Sequence, residues 1–307
     1  MPALVEPGDK VAVVAPSGPV LPDRLERGLA WLRSCGLEPV EGPGLRHRGG
    51  HGMEFVAGDD ATRLADLVEA WCDPNITAVL CARGGDGAPR LIEQMPWPRL
   101  ATAAPKVFAG LSDITTLHQA LASNLGVATL WSPMPATRAL AGSDGTDPDS
   151  WSRQGLLDAL LAQSSRPLSV LAGETMAGAG SVDAPLVGGT VSLLAAMAGT
   201  PGAVPATGAI AVLEDVNEQP YRIERFLTQL RRSGFFDGVR AVACGDFVDC
   251  GSPAQLRAVL EDRLGDLGVP VVAGLPFGHG PRQGSLWLGR PATLDADRAM
   301  LAQPRPA

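Results

Sequence analysis

Short apolar runs alternating with amphipathic helical stretches from Lys10 to Trp131 predict an α/β protein with a parallel sheet covered by helices on both faces. A turn-rich, apolar-poor break then predicts a linker at 141–150, between a domain at 1–140 and a second at 151–307. In order, Lys10–Ala15 reads as a strand, Asp23–Cys35 as a helix closed by Gly36, and Asp59–Cys72 as a second helix with Leu64, Leu67, Val68 and Trp71 on one face. Ile76–Ala82 reads as a buried strand running into Arg83-Gly84-Gly85, with a helix expected at Ala88–Gln94. A strand at Val107, a turn at Ser112, a helix to Asn124 and a strand at Val127–Trp131 complete the alternation. Beyond the linker, Ala209–Leu213 and Val239–Cys244 read as strands, and Tyr221–Ser233 and Pro253–Leu264 as helices. Gly284–Asp295 reads as β segments in a hairpin, and Ala302–Ala307 as a fraying tail.

Composition narrows the function classes. The 307 residues suffice to bury a sizeable core without staples. A net charge of -8 and scattered basic residues argue against nucleic acid. The odd count of five cysteines, widely spaced and without a Cys-x-x-Cys pair, suits buried thiols in a reducing compartment. The segment Met1–Pro7 has neither a basic n-region nor an apolar h-region, and no run reaches membrane-spanning length. A cytoplasmic protein is expected.

Ser112, in Gly110-Leu111-Ser112-Asp113, follows the apolar run Lys106–Ala109 and precedes a helical stretch. A serine on a strand-to-helix turn is placed as a nucleophile, with the N–H of Asp113 aimed at the developing oxyanion. Locally, a helix N-cap explains the same residues more simply.

A serine nucleophile needs a base and an acid to orient it. His118 lies six residues along the same helix, about 240° around, and so points elsewhere. His47 and His51 sit in a glycine-rich loop without a third ligand nearby, so no metal is expected. His279, just beyond the short strand Val271–Ala273, is the remaining candidate base, with a histidine satisfied in its own turn as the simpler reading. Glu214 ends an apolar strand and could orient it, although Asp215 and Glu218 compete for that role. All three could equally be an acid cluster at the start of the helix near Tyr221. The order Ser112, Glu214, His279 is that of α/β-hydrolases, but Ile114 stands where Gly-x-Ser-x-Gly has its last glycine.

Seven stretches together resemble one family, the LD-carboxypeptidases and the related microcin C immunity peptidases. They are Val13–Gly18, Arg83–Gly87, Gly110–Asp113, Gly188–Leu194, Leu213–Glu218, Tyr221–Arg225 and Gly274–His279. The resemblance implies a Rossmann-like N-terminal domain carrying Ser112 and a smaller C-terminal α/β domain carrying Glu214 and His279 as the other triad members. It further implies a cytoplasmic serine peptidase releasing D-alanine from murein tetrapeptide in cell-wall recycling. Gly84 and Gly85 leave room for a second oxyanion donor, the N–H of Gly85.

Two positions depart from the family: Asp86 replaces a tyrosine and Thr190 an asparagine. With Arg83, they are expected to line the substrate cleft. The expected partners are a small muropeptide and, in a homodimer, a second copy of the chain; no nucleic acid, membrane, cofactor or metal is expected. Hydrolysis of a peptidyl- or aminoacyl-nucleotide, and a non-catalytic cleft-binding role, stay open on the sequence.

Overall fold

The computed structural model describes residues 2–143, 145–162 and 169–304. Its first half runs β1 (Lys10–Val14), α1 (Pro22–Ser34), β2 (Glu38–Glu41), α2 (Asp60–Cys72) and β3 (Ile76–Cys81). Two short helices, α3 (Pro89–Ile92) and α4 (Trp97–Thr102), lead to β4 (Val107–Gly110), a 3-10 turn at Ser112–Ile114, α5 (Thr115–Leu125) and β5 (Thr129–Trp131). The helix expected over Ala88–Gln94 is only one turn long, because Pro96 follows so closely.

Side chains in β1 alternate between two cores, Val11 and Val13 on one face and Ala12 and Val14 on the other. A strand buried on both faces reads as a continuous apolar run, which is why this half is legible in the sequence. Pro22 opens α1, and Gly36, at φ +82°, lets the chain turn back so that Leu37 N–H reaches Leu32 O at 3.2 Å. Asp59 caps α2 by accepting from Thr62 N–H at 2.7 Å.

The remaining elements are α6 (Arg138–Ala141), α7 (Ser150–Leu160), β6 (Ser169–Ala172), β7 (Glu174–Ala177), β8 (Ser181–Thr190) and α8 (Val191–Met197). After them come β9 (Ile210–Val216), α9 (Pro220–Arg232), β10 (Ala241–Val248), α10 (Pro253–Leu264) and β11 (Val271–Ala273). The chain ends with β12 (Leu286–Leu288), β13 (Pro291–Asp295) and β14 (Met300–Gln303).

Two sheets result. The first has the order β12-β5-β4-β3-β1-β2, parallel except for β12. The second has the order β6-β14-β13-β8-β9-β10-β11-β7, with β8 to β11 parallel and its remaining strands antiparallel. One apolar core joins them: Phe108, Leu117 and Trp131 share it with Leu186, Val212 and Val272. Complete burial of such side chains contributes about 1.5–3 kcal/mol each, which binds the two sheets together.

Three expectations change. The predicted hairpin at Gly284–Asp295 does not form: β12 pairs with β5 in the first sheet, whereas β13 pairs with β8 and β14 in the second. Trp287 is the reason, since it is 1% exposed in the first sheet's core. The expected tail is partly a strand, because Gln303 is buried and accepts from Trp287 N–H at 2.7 Å. Residues 305–307 of that tail lie outside the described residues. Beyond the expected linker, Leu156, Ala159 and Leu160 of α7 pack into the first sheet's core, so that layer continues past residue 150.

Candidate active site

Three loops meet at the carboxyl ends of the adjacent parallel strands β1, β3 and β4: one carries Ser17, one Arg83-Gly84-Gly85, and one Ser112. Ligands in such sheets bind at this edge. Ser112 has φ +68°, a left-handed conformation that costs a non-glycine residue about 1–3 kcal/mol and persists only where neighbours enforce it. Those neighbours are identifiable. Thr115 Oγ1 donates to Ser112 O at 2.7 Å, and a Cβ on Gly84 would sit 2.7 Å from Ser112 Cβ. Ile114, where the usual elbow has glycine, is fully buried, and a Cβ on Gly110 would lie 2.9 Å from its Cγ2. The space the motif needs is therefore supplied at Gly110.

Asp113 fastens the three loops. Its Oδ2 accepts from Ser17 Oγ at 2.6 Å and from Ala88 N–H at 2.8 Å. Burial pushes its pKa up to about 6 despite these hydrogen bonds. His118 packs edge-on to Phe108 and bonds Gly110 O through Nε2 at 2.9 Å. Burial lowers its pKa to about 4, so it is a neutral core histidine.

The candidate acid and base come from the second sheet. Parallel pairing of β8 with β9 sets Thr190 beside Glu214, and Thr190 Oγ1 donates to Glu214 Oε1 at 2.6 Å. Glu214 is fully buried, and its Oε2 lies 2.6 Å from His279 Nδ1. A carboxylate can only accept here, so Nδ1 carries the proton and Nε2 is left as the basic nitrogen. Gly278, at φ +107°, brings the loop this close: a Cβ there would lie 2.6 Å from Glu214 Oε2. The two sheets are also tied at the site, since Thr190 N–H donates to the same Thr115 Oγ1 that holds Ser112.

The competing acids are occupied elsewhere. Asp215 accepts from Ser192 N–H at the start of α8 at 2.8 Å, and Glu218 pairs with Arg222. Asp246, missed in the sequence although it sits in β10 just past the apolar run Ala241–Cys244, lies against Gly280 and His279. Burial first, then the charge of Glu214, raises its pKa to about 6.

Ser112 and His279 share the wall of a cavity of about 170 Å³, without a direct hydrogen bond between them among the described residues. His279 also lines an adjoining cavity of about 410 Å³ that includes Gly280, Pro281 and Val248. Of the residues expected to touch substrate, Arg83 lines the first cavity. Asp86 is instead exposed and lines neither cavity, so it does not line the cleft as expected. Thr190 is a second correction: only 2% exposed, it spends its hydroxyl on Glu214 and not on the cleft. A further cavity of about 670 Å³, walled by α2 and the β1–β2 edge, contains none of these groups.

Two expectations follow from the hydrogen bonds and charges. Thr190→Val should leave Oε1 of a buried carboxylate without its donor, a loss of about 1.5–3 kcal/mol, or roughly 10- to 100-fold in kcat/KM. Thr190→Ser should retain most of the activity; equal rates in the wild type and Thr190→Val would show that the hydrogen bond is idle.

Burial alone would lower the His279 pKa, but the charge and hydrogen bond of Glu214, with Asp215 and Asp246 behind, leave it raised above 6.5. The base form is the deprotonated one, so kcat/KM should fall as pH drops, with a midpoint above 6.5. Asp246→Asn removes a negative charge and should move that midpoint down. A wild-type midpoint below 6.5, or one unmoved in the variant, would contradict this electrostatic picture.

The fold is a two-sheet α/β architecture with a strained serine and a histidine–glutamate pair at one cleft, and its family match makes it a hydrolase of the peptidase class. Residues 11–132 match the LD-carboxypeptidase N-terminal domain and residues 183–294 the LD-carboxypeptidase C-terminal domain, so the chain belongs to the LD-carboxypeptidase family. A relative from Streptomyces coelicolor with a provisional carboxypeptidase name is 46% identical over 308 residues, covering 100% of this chain and 96% of that one. The murein tetrapeptide carboxypeptidase of Pseudomonas aeruginosa is 33% identical, covering 94% of each chain. Among solved structures, muramoyltetrapeptide carboxypeptidase from Oxalobacter formigenes superposes with a TM-score of 0.83 at 28% identity, over 97% of this chain and 100% of that one. The microcin C7 self-immunity protein MccF shares the fold, with a TM-score of 0.86 at 21% identity over 99% of this chain and 98% of that one. Among the described residues, no helix is long and apolar enough to cross a membrane.

Proposed function

We propose that the chain is a serine LD-carboxypeptidase that releases D-alanine from murein tetrapeptide. The observation that carries this reading is the His279–Glu214 pair, at 2.6 Å, opening onto the same cavity as a strained Ser112. Ser112 Oγ attacks the scissile carbonyl carbon while His279 Nε2 takes the hydroxyl proton, and Glu214 stabilises the imidazolium. The N–H groups of Asp113 and Gly85 receive the oxyanion, a role supported by the close approach of Gly84 to Ser112. Collapse of the intermediate breaks the C–N bond as His279 returns the proton to the leaving amine. Water, deprotonated by the same nitrogen, then frees Ser112 from the acyl group. The Ser112–His279 hydrogen bond forms as substrate fills the cavity, as catalytic contacts commonly tighten on binding.

The murein substrate is supported by the 33% identity to the Pseudomonas aeruginosa enzyme. Cytoplasmic cell-wall recycling, a homodimeric state and metal independence belong to the same reading. The test is enzymatic quantification of D-alanine after incubation with purified tetrapeptide in the presence of a chelator. Release at a steady catalytic rate is expected. Hydrolysis of an aminoacyl nucleotide with the tetrapeptide left intact would overturn the reading.

A further inference from the structure

Three arginines, Arg24 from the first turn of α1, Arg83 from the β3 loop and Arg138 from the start of α6, line the Ser112 cavity. Several arginines elsewhere sit on carboxylates, as Arg46 does on Glu41, Arg231 on Asp266 and Arg257 on Glu261. Among the described residues, no carboxylate pairs with any of the cavity's three. Arg83 is half-buried and held by its own loop, donating from Nε to Gly84 O and from Nη1 to Pro19 O, both at 3.0 Å. Neither bond neutralises its charge. Burial first, then the nearby charges of Arg24 and Arg48, disfavours the protonated guanidinium. Like charges gathered at a catalytic serine, in a cavity whose own lining holds no acid, cost energy that an anionic ligand would offset.

We infer that Arg24, Arg83 and Arg138 form the subsite for the free terminal carboxylate of the residue that leaves, restricting cleavage to the last peptide bond of a chain. This rests on the carboxypeptidase reading above and adds the source of its exopeptidase specificity. Size agrees with charge. The cavity that all three arginines line, about 170 Å³, is the smaller of the two and suits a single small amino acid, whereas the adjoining 410 Å³ space, which shares Arg138 and also holds Asp147 and Asp149, has room for the acyl part. His279 lines both, where it can serve the amine that separates them. Murein peptides also carry carboxylates within the acyl part, and amidating only the terminus distinguishes these from the terminal group.

The experiment measures kcat/KM for tetrapeptide ending in D-alanine and for the same peptide ending in D-alaninamide, in the wild type, Arg24→Gln and Arg138→Gln. Each substitution takes one charge-assisted hydrogen bond from the terminal carboxylate, so the acid-over-amide preference should fall on the order of 10-fold or more per variant. As a check needing no variant, free D-alanine should protect Ser112 from a serine-directed phosphonate probe, and D-alaninamide should not. If the wild type cleaves acid and amide equally, or both folded variants keep its preference, the subsite is overturned and the carboxypeptidase reading stands. If the wild type releases no D-alanine from the acid, that reading fails and the subsite fails with it.

Discussion

Ser112→Ala is expected to lower kcat by about three orders of magnitude or more while leaving the protein folded. The fold should survive because, among the described residues, Ser112 Oγ takes part in no hydrogen bond: the elbow is held through Ser112 O, Ile114 and Gly84. Alanine at φ +68° meets the same backbone strain as serine, so the melting temperature should move by only a few degrees. His279→Ala should cost a similar factor. The double variant should be little worse than either single one, since groups acting as one unit are not additive. Steady-state kinetics on the three proteins, with circular dichroism to certify folding, decides the matter. Near-normal turnover in folded Ser112→Ala would remove the nucleophile from the mechanism.

Gly278→Ala should disable the acid–base half of the site. The added Cβ would fall 2.6 Å from Glu214 Oε2 and 2.9 Å from Glu214 Cβ, at a φ of +107° that L-residues rarely adopt. Glu214 is buried and bonded at both oxygens, so it has nowhere to retreat. Displacing the His279–Glu214 pair by about 1 Å should cost on the order of 10²-fold in kcat. Gly274→Ala is the control: it shares the positive φ, at +68°, but its Cβ meets nothing within 4 Å. Strain without the clash should spare most of the activity. Equal losses in the two variants would show that loop strain matters and the approach to Glu214 does not.

The first sheet is legible in the sequence because strands such as Lys10–Val14 and Ile76–Cys81 are buried on both faces, so their apolar runs are continuous. The parallel centre of the second sheet, β9 to β11, is legible for the same reason. β8 escapes such a reading: Ser181–Thr190 contains Asp183, Pro185 and two glycines, and its burial alternates along much of its length. The pairing of β12 with the first sheet is beyond local pattern, because Leu286-Trp287-Leu288 states that it is buried but not which sheet it joins. Long-range register is set by packing, not by the segment itself.

At the site, Ser112, Glu214 and His279 can be picked out because each stands just after a short apolar strand. Glu214 cannot be separated from Asp215 and Glu218 by spacing alone; the fold separates them by giving Asp215 to Ser192 and Glu218 to Arg222. Thr190 and Asp86 read as cleft residues because their motifs lie at the cleft, but a motif does not say which way a side chain faces. Arg24 and Arg138 carry no signal. One looks like an ordinary first-turn residue and the other follows a proline-rich loop, and only the tertiary fold brings them to Ser112.

The most direct test of the serine mechanism is mass spectrometry of the protein after reaction with a serine-directed phosphonate. A single adduct on the peptide containing Ser112 is expected, strongly reduced in His279→Ala, because the hydroxyl reacts only when its base is in place. An unmodified Ser112 in active wild-type protein, or an adduct on another serine that abolishes activity, would contradict it.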